Sequence, residues 1–122
     1  MRKILISIKP NYVKDIFRGE KKYEYRKRVP SDVESAIVYA TAPVKCIVGE
    51  MKVGGVLSMS PEDLWDISQK YSGLTRKDFF QYFKDCSVAH ALCIENVFKY
   101  DIPIKLEALN ISRPPQSWQY LD

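Results

Sequence analysis

The fold is decided by one stretch of the sequence, Gly19-Glu20-Lys21-Lys22-Tyr23-Glu24-Tyr25-Arg26-Lys27-Arg28. A glycine follows a helical pattern, a basic turn comes next, and tyrosines then alternate with charged residues. This period of two predicts a strand, with Tyr23 and Tyr25 on one face and Glu24, Arg26 and Arg28 on the other. Side chains two residues apart on a strand lie about 6.5–7 Å apart. We therefore expect Glu24 and Arg26 to hold one polar ligand between them and not merely to neutralise each other.

Basic residues are concentrated around this stretch. Residues 9–28 contain eight lysines and arginines against three acidic residues, whereas the whole chain has 19 against 15 and a net charge of +4. An electropositive patch of this kind attracts polyanions. The alternative is a solvated edge strand that carries charge but binds nothing, and the charge pattern leaves both interpretations open.

Length and composition indicate one globular domain that spans residues 1–122. Hydrophobic residues make up 46% of the 122 and charged residues 28%, as in ordinary soluble proteins. No apolar run is long enough to span a membrane, and the first apolar run, residues 4–8, is too short for a signal peptide. We therefore expect a cytoplasmic protein that does not bind membranes.

The cysteines predict no metal centre. The chain contains Cys46, Cys86 and Cys93 without a Cys-x-x-Cys pair, and His90 is its single histidine. Structural zinc sites need a larger and more closely spaced set of ligands. We interpret the three cysteines as buried reduced thiols, expect no metal or cofactor, and interpret His90 as a residue without a catalytic role.

Hydrophobic periodicity predicts an α+β domain around a curled sheet. Helices are predicted over about 10–18, after the cap Ser60-Pro61 and after Thr75. The helix after Ser60 should bury Leu64 and Ile67, and the next helix should place Phe79, Phe80 and Phe83 in the core or over the barrel as a lid. Strands are predicted over residues 3–9, 23–28, 35–40, 46–59 and 89–100, with a last extended segment over 102–106 and a docked C-terminal tail. In the first strand, Ile4, Ile6 and Ile8 are predicted to share one face. The pair Gly54-Gly55 indicates a bend in the longest strand, and such bends let a small sheet curl into a barrel.

The spacing Gly19-x-Lys21-x-x-Glu24-x-Arg26, placed after a strand and a helix, resembles the signature of the ASCH domain family of the PUA-like superfamily. The resemblance extends over essentially the whole chain and includes Lys9-Pro10, Tyr39-Ala40, Val48-Gly49-Glu50 and the tail Pro114-Pro115-Gln116-Ser117. It implies a small, PUA-like open β-barrel of about five or six strands with helices that seal its ends. It also implies a cleft, lined by the motif, for RNA or a nucleotide-like ligand.

Three site residues follow from the resemblance: Lys21, Glu24 and Arg26. Chemistry suggests their roles, because the guanidinium of Arg26 binds phosphate or a base edge, the ammonium of Lys21 supplies a mobile positive charge, and the carboxylate of Glu24 accepts hydrogen bonds from exocyclic amino groups. Strand-end position and polarity add further ligand-binding candidates, namely Lys9, Thr41 and Glu50. Base stacking is assigned to an aromatic residue, for which Tyr39, Trp118 and Tyr120 are the candidates, and the predicted partner is RNA or a modified nucleoside or nucleotide.

Enzymatic activity is left open. Some relatives within the family remove the acetyl group from N4-acetylcytidine with a lysine, a threonine and a glutamate. Lys21 matches that lysine, but Glu24 occupies the position of the threonine, and Thr41 is the nearest substitute hydroxyl. If the protein is a nucleobase amide hydrolase, Lys21 and Glu24 are its predicted catalytic residues. The third alternative is a module that binds only a protein partner, and oligomeric state is left open.

Overall fold

The computed structural model describes residues 2–121. Within this range six strands, three α-helices and two short 3-10 helices follow one another along the chain. In chain order the α-helices and strands are β1 (Lys3–Ile8), α1 (Pro10–Phe17), β2 (Tyr23–Arg26), β3 (Ser35–Ala40), β4 (Cys46–Met59), α2 (Pro61–Ser68), α3 (Arg76–Tyr82), β5 (Ala89–Ile104) and β6 (Trp118–Leu121). The 3-10 helices cover Gln69–Tyr71 and Leu106–Leu109.

All six strands belong to one sheet in the order β2-β5-β4-β3-β1-β6. Strands β1 and β3 are parallel, and the other neighbouring pairs are antiparallel. The sheet curls so that its two edge strands approach each other. Across the gap, the Trp118 Nε1 of β6 donates a hydrogen bond at 2.9 Å to the carbonyl oxygen of Arg28, two residues after β2. We call the gap between β2 and β6 the seam. This α+β open barrel of six strands confirms the predicted fold class.

Strand β4 bends where its glycine pair predicts a bend. Its register with β5 shifts between Val53 and Gly55, so the strand turns as it crosses the sheet. Strand β5 runs without interruption from Ala89 to Ile104, whereas the sequence suggested a strand to residue 100 and a separate extended segment. Pairing with β4 extends from Ala89 to Ile104, although its register shifts between Lys99 and Ile104, where the sequence suggested a break.

The inner face of the curled sheet forms the main core. Alternate residues of β1 point inward, as predicted, and meet alternate residues of β3, the middle of β4 and β5, and the buried side of α1. Helix α1 contributes Val13 and Ile16, while Phe17 packs at the edge of this core. The remaining core residues are Ile4, Ile6, Ile8, Val33, Ala36, Val38, Ala40, Met51, Val53, Leu92, Ile94 and Trp118.

A second core lies between the sheet and helices α2 and α3. Phe79 and Phe83 are buried there, which confirms that this aromatic cluster belongs to the core. The predicted apolar face of α2 is wrong in one residue, because Ile67 is 56% exposed. Helix α2 instead buries positions spaced by three and four residues, namely Pro61, Leu64, Trp65 and Ser68.

The end of the motif stretch differs from expectation, whereas its beginning agrees with it. Strand β2 stops at Arg26, two residues earlier than predicted, and the guanidinium of Arg28 lies 4.4 Å from the ring centre of Trp118. Ahead of β2, Gly19 has a φ of +77° and ends α1, as predicted. The C-terminal tail is docked through β6, which pairs with β1 from Leu121 opposite Lys3 to Trp118 opposite Ile6.

Candidate functional site

A cavity of about 350 Å³ lies at the seam. It is bounded by the motif on and before β2, by the end of β1 and the start of α1, by α3, and by the tail ahead of β6. Its lining consists of Ser7, Ile8, Lys9, Tyr12, Lys21, Glu24, Tyr25, Arg26, Thr41, Leu74, Asp78, Tyr82 and Gln116. Five of the six predicted site residues are therefore brought together in one hollow.

Lys21 forms the floor of this cavity and is only 2% exposed. Its Nζ donates a 2.6 Å hydrogen bond to the carbonyl oxygen of Ser72 and lies 5.3 Å and 4.9 Å from the ring centres of Tyr12 and Tyr25. Burial lowers the pKa of this ammonium, with Arg26 adding to the shift and the Glu24 carboxylate opposing it. The sequence suggested a mobile positive charge here, but the structure holds the charge in place.

The position of Lys21 depends on the glycine it packs against. Gly73 has a φ of +71°, a conformation that side chains disfavour. A Cβ added there would lie 2.6 Å from the Cδ of Lys21. Glycine is therefore required at position 73 by the backbone conformation and by the close approach of the Lys21 side chain.

Glu24 and Arg26 form a buried ion pair. The Nη2 of Arg26 lies 3.2 Å from the Oε1 of Glu24, and the two side chains are 11% and 8% exposed respectively. The expectation that the two groups stand too far apart to neutralise each other is wrong, because the long side chains lean along the strand. The pair is nevertheless incomplete, since Glu24 Oε2 and Arg26 Nε are buried and have no hydrogen-bond partner among the described residues.

Arg26 also closes the seam. Its Nη2 donates to the carbonyl oxygen of Ser7 at 2.9 Å, and its Nη1 donates to the Ser117 Oγ at 3.0 Å. Ser7 in turn donates from its Oγ to the carbonyl oxygen of Pro115 at 2.7 Å. The guanidinium thus joins β2, β1 and the segment before β6, and most of its donors are already engaged.

The remaining predicted site residues divide into two groups. Lys9 and Thr41 stand in the cavity wall, at the ends of β1 and β3. Glu50 does not, because it lies on the opposite face of β4 from the core residue Met51. Its Oε2 accepts a 2.7 Å hydrogen bond from the Tyr100 hydroxyl beside a second cavity of about 390 Å³. The predicted placement of Glu50 in the cleft is therefore wrong.

Several residues of the cavity wall were not predicted from the sequence. Tyr12 on α1 and Asp78 and Tyr82 on α3 line the cavity, as does Gln116 in the tail. Burial raises the pKa of Tyr12, and the carboxylates of Asp78 and Glu24 add to this shift. Helical spacing offered one signal, because Asp78 and Tyr82 stand four residues apart and so on one side of α3. No sequence pattern in the C-terminal tail predicts that Gln116 lines the cavity.

Tyr25 connects the cavity to the helices behind it. Its hydroxyl lies 2.7 Å from the Ser68 Oγ, which itself donates to the carbonyl oxygen of Leu64 at 2.6 Å. Burial raises the pKa of Tyr25 to about 12. The neutral phenol therefore serves as a fixed wall, whose ring packs edge-on against Phe79 at 4.9 Å.

Neither the histidine nor the cysteines join the cavity lining. His90 lies 2.7 Å from the Ser58 Oγ through its Nδ1, on strand β5. The three cysteines are free and partly exposed, which corrects the prediction that they are buried. Among residues 2–121, no group of three or more His, Cys, Asp and Glu side chains could hold a metal ion. No helix in the same range is long and apolar enough to cross a membrane.

The fold and the site together define a small PUA-like open barrel with a polar, partly basic cleft at its seam. The ASCH domain model matches residues 6–101, and the chain belongs to the ASCH domain family. The motif glycine, lysine, glutamate and arginine that suggested the family all lie within the matched range. The predicted family is thereby confirmed.

The chain is similar in sequence and structure to an ASCH protein of Zymomonas mobilis. The sequences are 29% identical over 126 residues, which cover 98% of this chain and 84% of a relative named ASCH domain-containing ribonuclease. A crystal structure of ASCH from Zymomonas mobilis matches with a TM-score of 0.91 and 27% identity, over 99% of this chain and 88% of that one.

Two longer proteins of Ureaplasma parvum contain similar segments. The chain is 32% identical over 120 residues to a segment of ATP synthase subunit alpha and 31% identical over 120 residues to a segment of the large ribosomal subunit protein uL22. In both cases 97% of this chain is covered, but it spans only 15% and 39% of those proteins. The similarity is therefore to a part of each.

Proposed function

We propose that the cavity at the seam binds one nucleotide of an RNA chain. The observation that carries the proposal is the buried Glu24 Oε2, an acceptor without a partner among residues 2–121, in a cavity whose floor is the ammonium of Lys21. A buried polar atom left without a hydrogen bond costs about 1–3 kcal/mol, so a ligand that donates to it gains that much.

The lining fits the parts of a nucleotide. The carboxylate oxygen of Glu24 is suited to an exocyclic amino group of a base, and the buried ammonium of Lys21 to negative charge on the ligand. The ring of Tyr12 offers an apolar wall, and Lys9 at the end of β1 is exposed and can meet a phosphate. A volume of about 350 Å³ is at the small end of ligand sites, which matches one nucleotide and not several.

The name of one relative supports RNA as the partner. The Zymomonas mobilis relative, of which this chain covers 84%, is named an ASCH domain-containing ribonuclease. The concentration of basic residues between positions 9 and 28 agrees with a polyanion. We therefore favour RNA over a free metabolite or a protein partner.

Binding is tested by titrating the purified protein with the four ribonucleoside 5′-monophosphates and with short RNA. Lys21→Ala and Glu24→Gln should each weaken binding by about tenfold or more, because each removes one charged hydrogen-bonding group from the floor. Glu50→Gln in the second cavity is the matched control and should bind as the wild type does. Equal affinity of all four proteins, or no binding by the wild type, would refute the proposal.

A second candidate function is RNA cleavage in the same cavity. Two observations favour it: the Zymomonas mobilis relative is named a ribonuclease, and burial lowers the pKa of the Lys21 ammonium beside the Glu24 carboxylate. Glu24 can remove the proton of a ribose 2′-hydroxyl, whose oxygen then attacks the adjacent phosphorus. The 5′-oxygen leaves with a proton from Lys21, which gives a 2′,3′-cyclic phosphate and a 5′-hydroxyl.

Cleavage is tested with an RNA oligonucleotide and a matched oligonucleotide that has 2′-deoxy sugars. The first should yield 2′,3′-cyclic phosphate ends by mass spectrometry, and the second should stay intact. Lys21→Ala and Glu24→Gln should lower the rate by about a hundredfold or more. Cleavage of the deoxy oligonucleotide would contradict this mechanism, and intact RNA would leave binding as the function.

Other functional expectations stay predictions. Amide hydrolysis on a nucleobase still lacks a demonstrated nucleophile, although Thr41 does stand in the cavity wall. Incubation with N4-acetylcytidine and assay for cytidine would test it, and Lys21→Ala should abolish any release. The cytoplasmic location and the alternative of a module that binds only a protein partner likewise stay predictions.

A further inference from the structure

We infer that the rim of the cavity holds a second nucleotide position, in which Tyr82 stacks on the base and Lys27 pairs with the phosphate of the neighbouring nucleotide. This position rests on the proposed function, because it extends a nucleotide already seated on Lys21 and Glu24. The resulting ligand is a chain of at least two nucleotides.

Tyr82 is placed as a platform at the cavity mouth. It is the last residue of α3, it lines the cavity, and it is still 38% exposed. Its ring packs edge-on against Phe83, with centres 4.8 Å apart and planes at 71°. Phe83 is 2% exposed and belongs to the second core, so it supports the ring from behind. A supported, partly exposed tyrosine is the kind of residue on which unpaired bases stack.

Lys27 supplies a cation at the same rim. It is the first residue after β2, it is exposed, and its Nζ lies 5.0 Å from the ring centre of Tyr82. An exposed cation–π contact is weaker than the stacking of a base on an aromatic ring. A base can therefore take the place of the ammonium over the ring, and the freed ammonium can turn to the phosphate that accompanies that base.

The dimensions of the cavity require such a position if the ligand is a chain. The hollow accommodates one nucleotide, so the next one must leave through the mouth. Tyr82 is the wall residue that combines an aromatic ring, exposure and an adjacent exposed lysine.

The chain offers a matched control with the same chemistry outside the cavity. Tyr71 has the ammonium groups of Lys22 and Lys70 at 4.4 Å and 5.5 Å from its ring centre. It does not belong to the cavity lining formed by the described residues. A tyrosine under an exposed lysine is thus present both at the mouth and outside the cavity, and only the one at the mouth should respond to the length of the ligand.

The experiment measures the affinity of a mononucleotide, a dinucleotide and a tetranucleotide of one base by calorimetry, with 2′-fluoro sugars that prevent cleavage. The wild type should bind the dinucleotide more tightly than the mononucleotide. Tyr82→Ala should reduce this ratio by about fivefold or more, because one stacked base is lost. Tyr82→Phe should retain the ratio, and Tyr71→Ala should leave it unchanged.

Two further variants keep the test informative. Tyr82→Leu preserves an apolar contact with Phe83 but lacks a stacking ring, so it should reduce the ratio even if the alanine variant fails to fold. Lys27→Gln should lower the salt dependence of tetranucleotide binding by about one phosphate contact, a slope change of roughly 0.7.

Failure of this position and failure of the proposed function look different. If the wild type binds neither mononucleotide nor tetranucleotide, the cavity is not a nucleotide site and the second position falls with it. If the mononucleotide and the dinucleotide bind equally, or if Tyr82→Leu keeps the wild-type ratio, only the second position is refuted. A reduction by Tyr71→Ala equal to that by Tyr82→Ala would also refute it.

Discussion

Two cavities of similar volume differ in how their polar groups are used. The cavity at the seam measures about 350 Å³ and the one beside β4 about 390 Å³, and both contain a carboxylate and a basic residue. In the second cavity Glu50 accepts a hydrogen bond from Tyr100, and Lys52 pairs with Glu95 in the open. At the seam, Glu24 Oε2 is buried and has no partner among the described residues.

The difference shows that volume alone does not mark a binding site. Burial raises the pKa of Tyr100 to about 12, and its hydrogen bond to Glu50 adds to the rise, so the pair remains satisfied without a ligand. The side chains of Lys52 and Glu95 are 61% and 50% exposed and gain little from pairing. Unused hydrogen-bonding capacity in a buried place distinguishes the seam cavity, because only a ligand or water can satisfy it.

The largest expected effect comes from breaking the ion pair at the seam. Arg26→Ala leaves the buried Glu24 carboxylate without its partner and opens the contact with Ser117, so it should lower the free energy of unfolding by about 3 kcal/mol. Urea unfolding measures this. The matched variant Lys52→Ala breaks the exposed pair beside the second cavity and should cost less than about 1 kcal/mol. Similar losses in both variants would contradict the comparison.

The next largest effect should come from the glycine behind Lys21. Gly73→Ala adds a Cβ at a positive φ and against the lysine chain, so it should cost about 2 kcal/mol and reduce nucleotide binding. Gly19→Ala is the control, because Gly19 has a similar φ of +77° but no described atom within 4 Å of an added Cβ. It should cost about 1 kcal/mol and leave binding intact. Equal costs would show that the contact with Lys21 does not matter.

A smaller effect is expected in the second cavity. Tyr100→Phe removes the hydrogen bond to Glu50 and should lower the free energy of unfolding by about 1 kcal/mol, as for an ordinary hydrogen bond. Its affinity for nucleotides should equal that of the wild type, and titration checks this. Weakened nucleotide binding would mean that the second cavity also takes part in the function.

The smallest effect concerns the pH dependence of stability. Burial lowers the pKa of Lys21 in the folded protein below its ordinary value of 10.5, so between these two values the unfolded chain binds more protons than the folded one. The buried ammonium of Lys21 therefore reduces the free energy of unfolding at pH values below its lowered pKa. This reduction disappears as the pH rises toward 10.5.

Lys21→Met lacks this contribution and provides the measurement. As the pH is raised toward 10.5, the ordinary pKa of a lysine, the wild type should gain free energy of unfolding relative to Lys21→Met, as determined by urea unfolding at each pH. Lys52→Met, which alters an exposed lysine, should follow the wild-type profile. Parallel profiles of the wild type and Lys21→Met would contradict a buried ammonium at the cavity floor.

Local patterns predicted the architecture well. The alternation in β1, the cap at Ser60, the cap at Thr75 and the glycine pair in β4 are all signals within a few residues, and each is confirmed. The resemblance to the ASCH family also implied that Lys21, Glu24 and Arg26 line one cleft, and strand alternation accounts only for Glu24 and Arg26, because Lys21 precedes β2. The predicted burial of Ile67 was wrong, because its three-residue spacing from Leu64 did not identify which side of α2 faces the core.

The rest of the site depends on contacts between distant parts of the chain. Ser7 and Ser117 meet at the guanidinium of Arg26 although 110 residues separate them, and no local pattern in the tail records that contact. The spacing argument for Glu24 and Arg26 considered backbone positions and not the reach of their side chains. Glu50 was chosen by polarity, whereas its alternation with the buried Met51 would have placed it outside the barrel.

The pairing of Lys3 with Leu121 brings the two ends of the described chain side by side. Partners across antiparallel strands lie about 4.5–5.5 Å apart, so the domain could be spliced into a surface loop of a host protein without stretching that loop. Similar segments within an ATP synthase subunit and a ribosomal protein accord with such portability. A host protein that contains this domain would contain the complete seam, cavity and rim, because all three are formed by residues between Lys3 and Leu121.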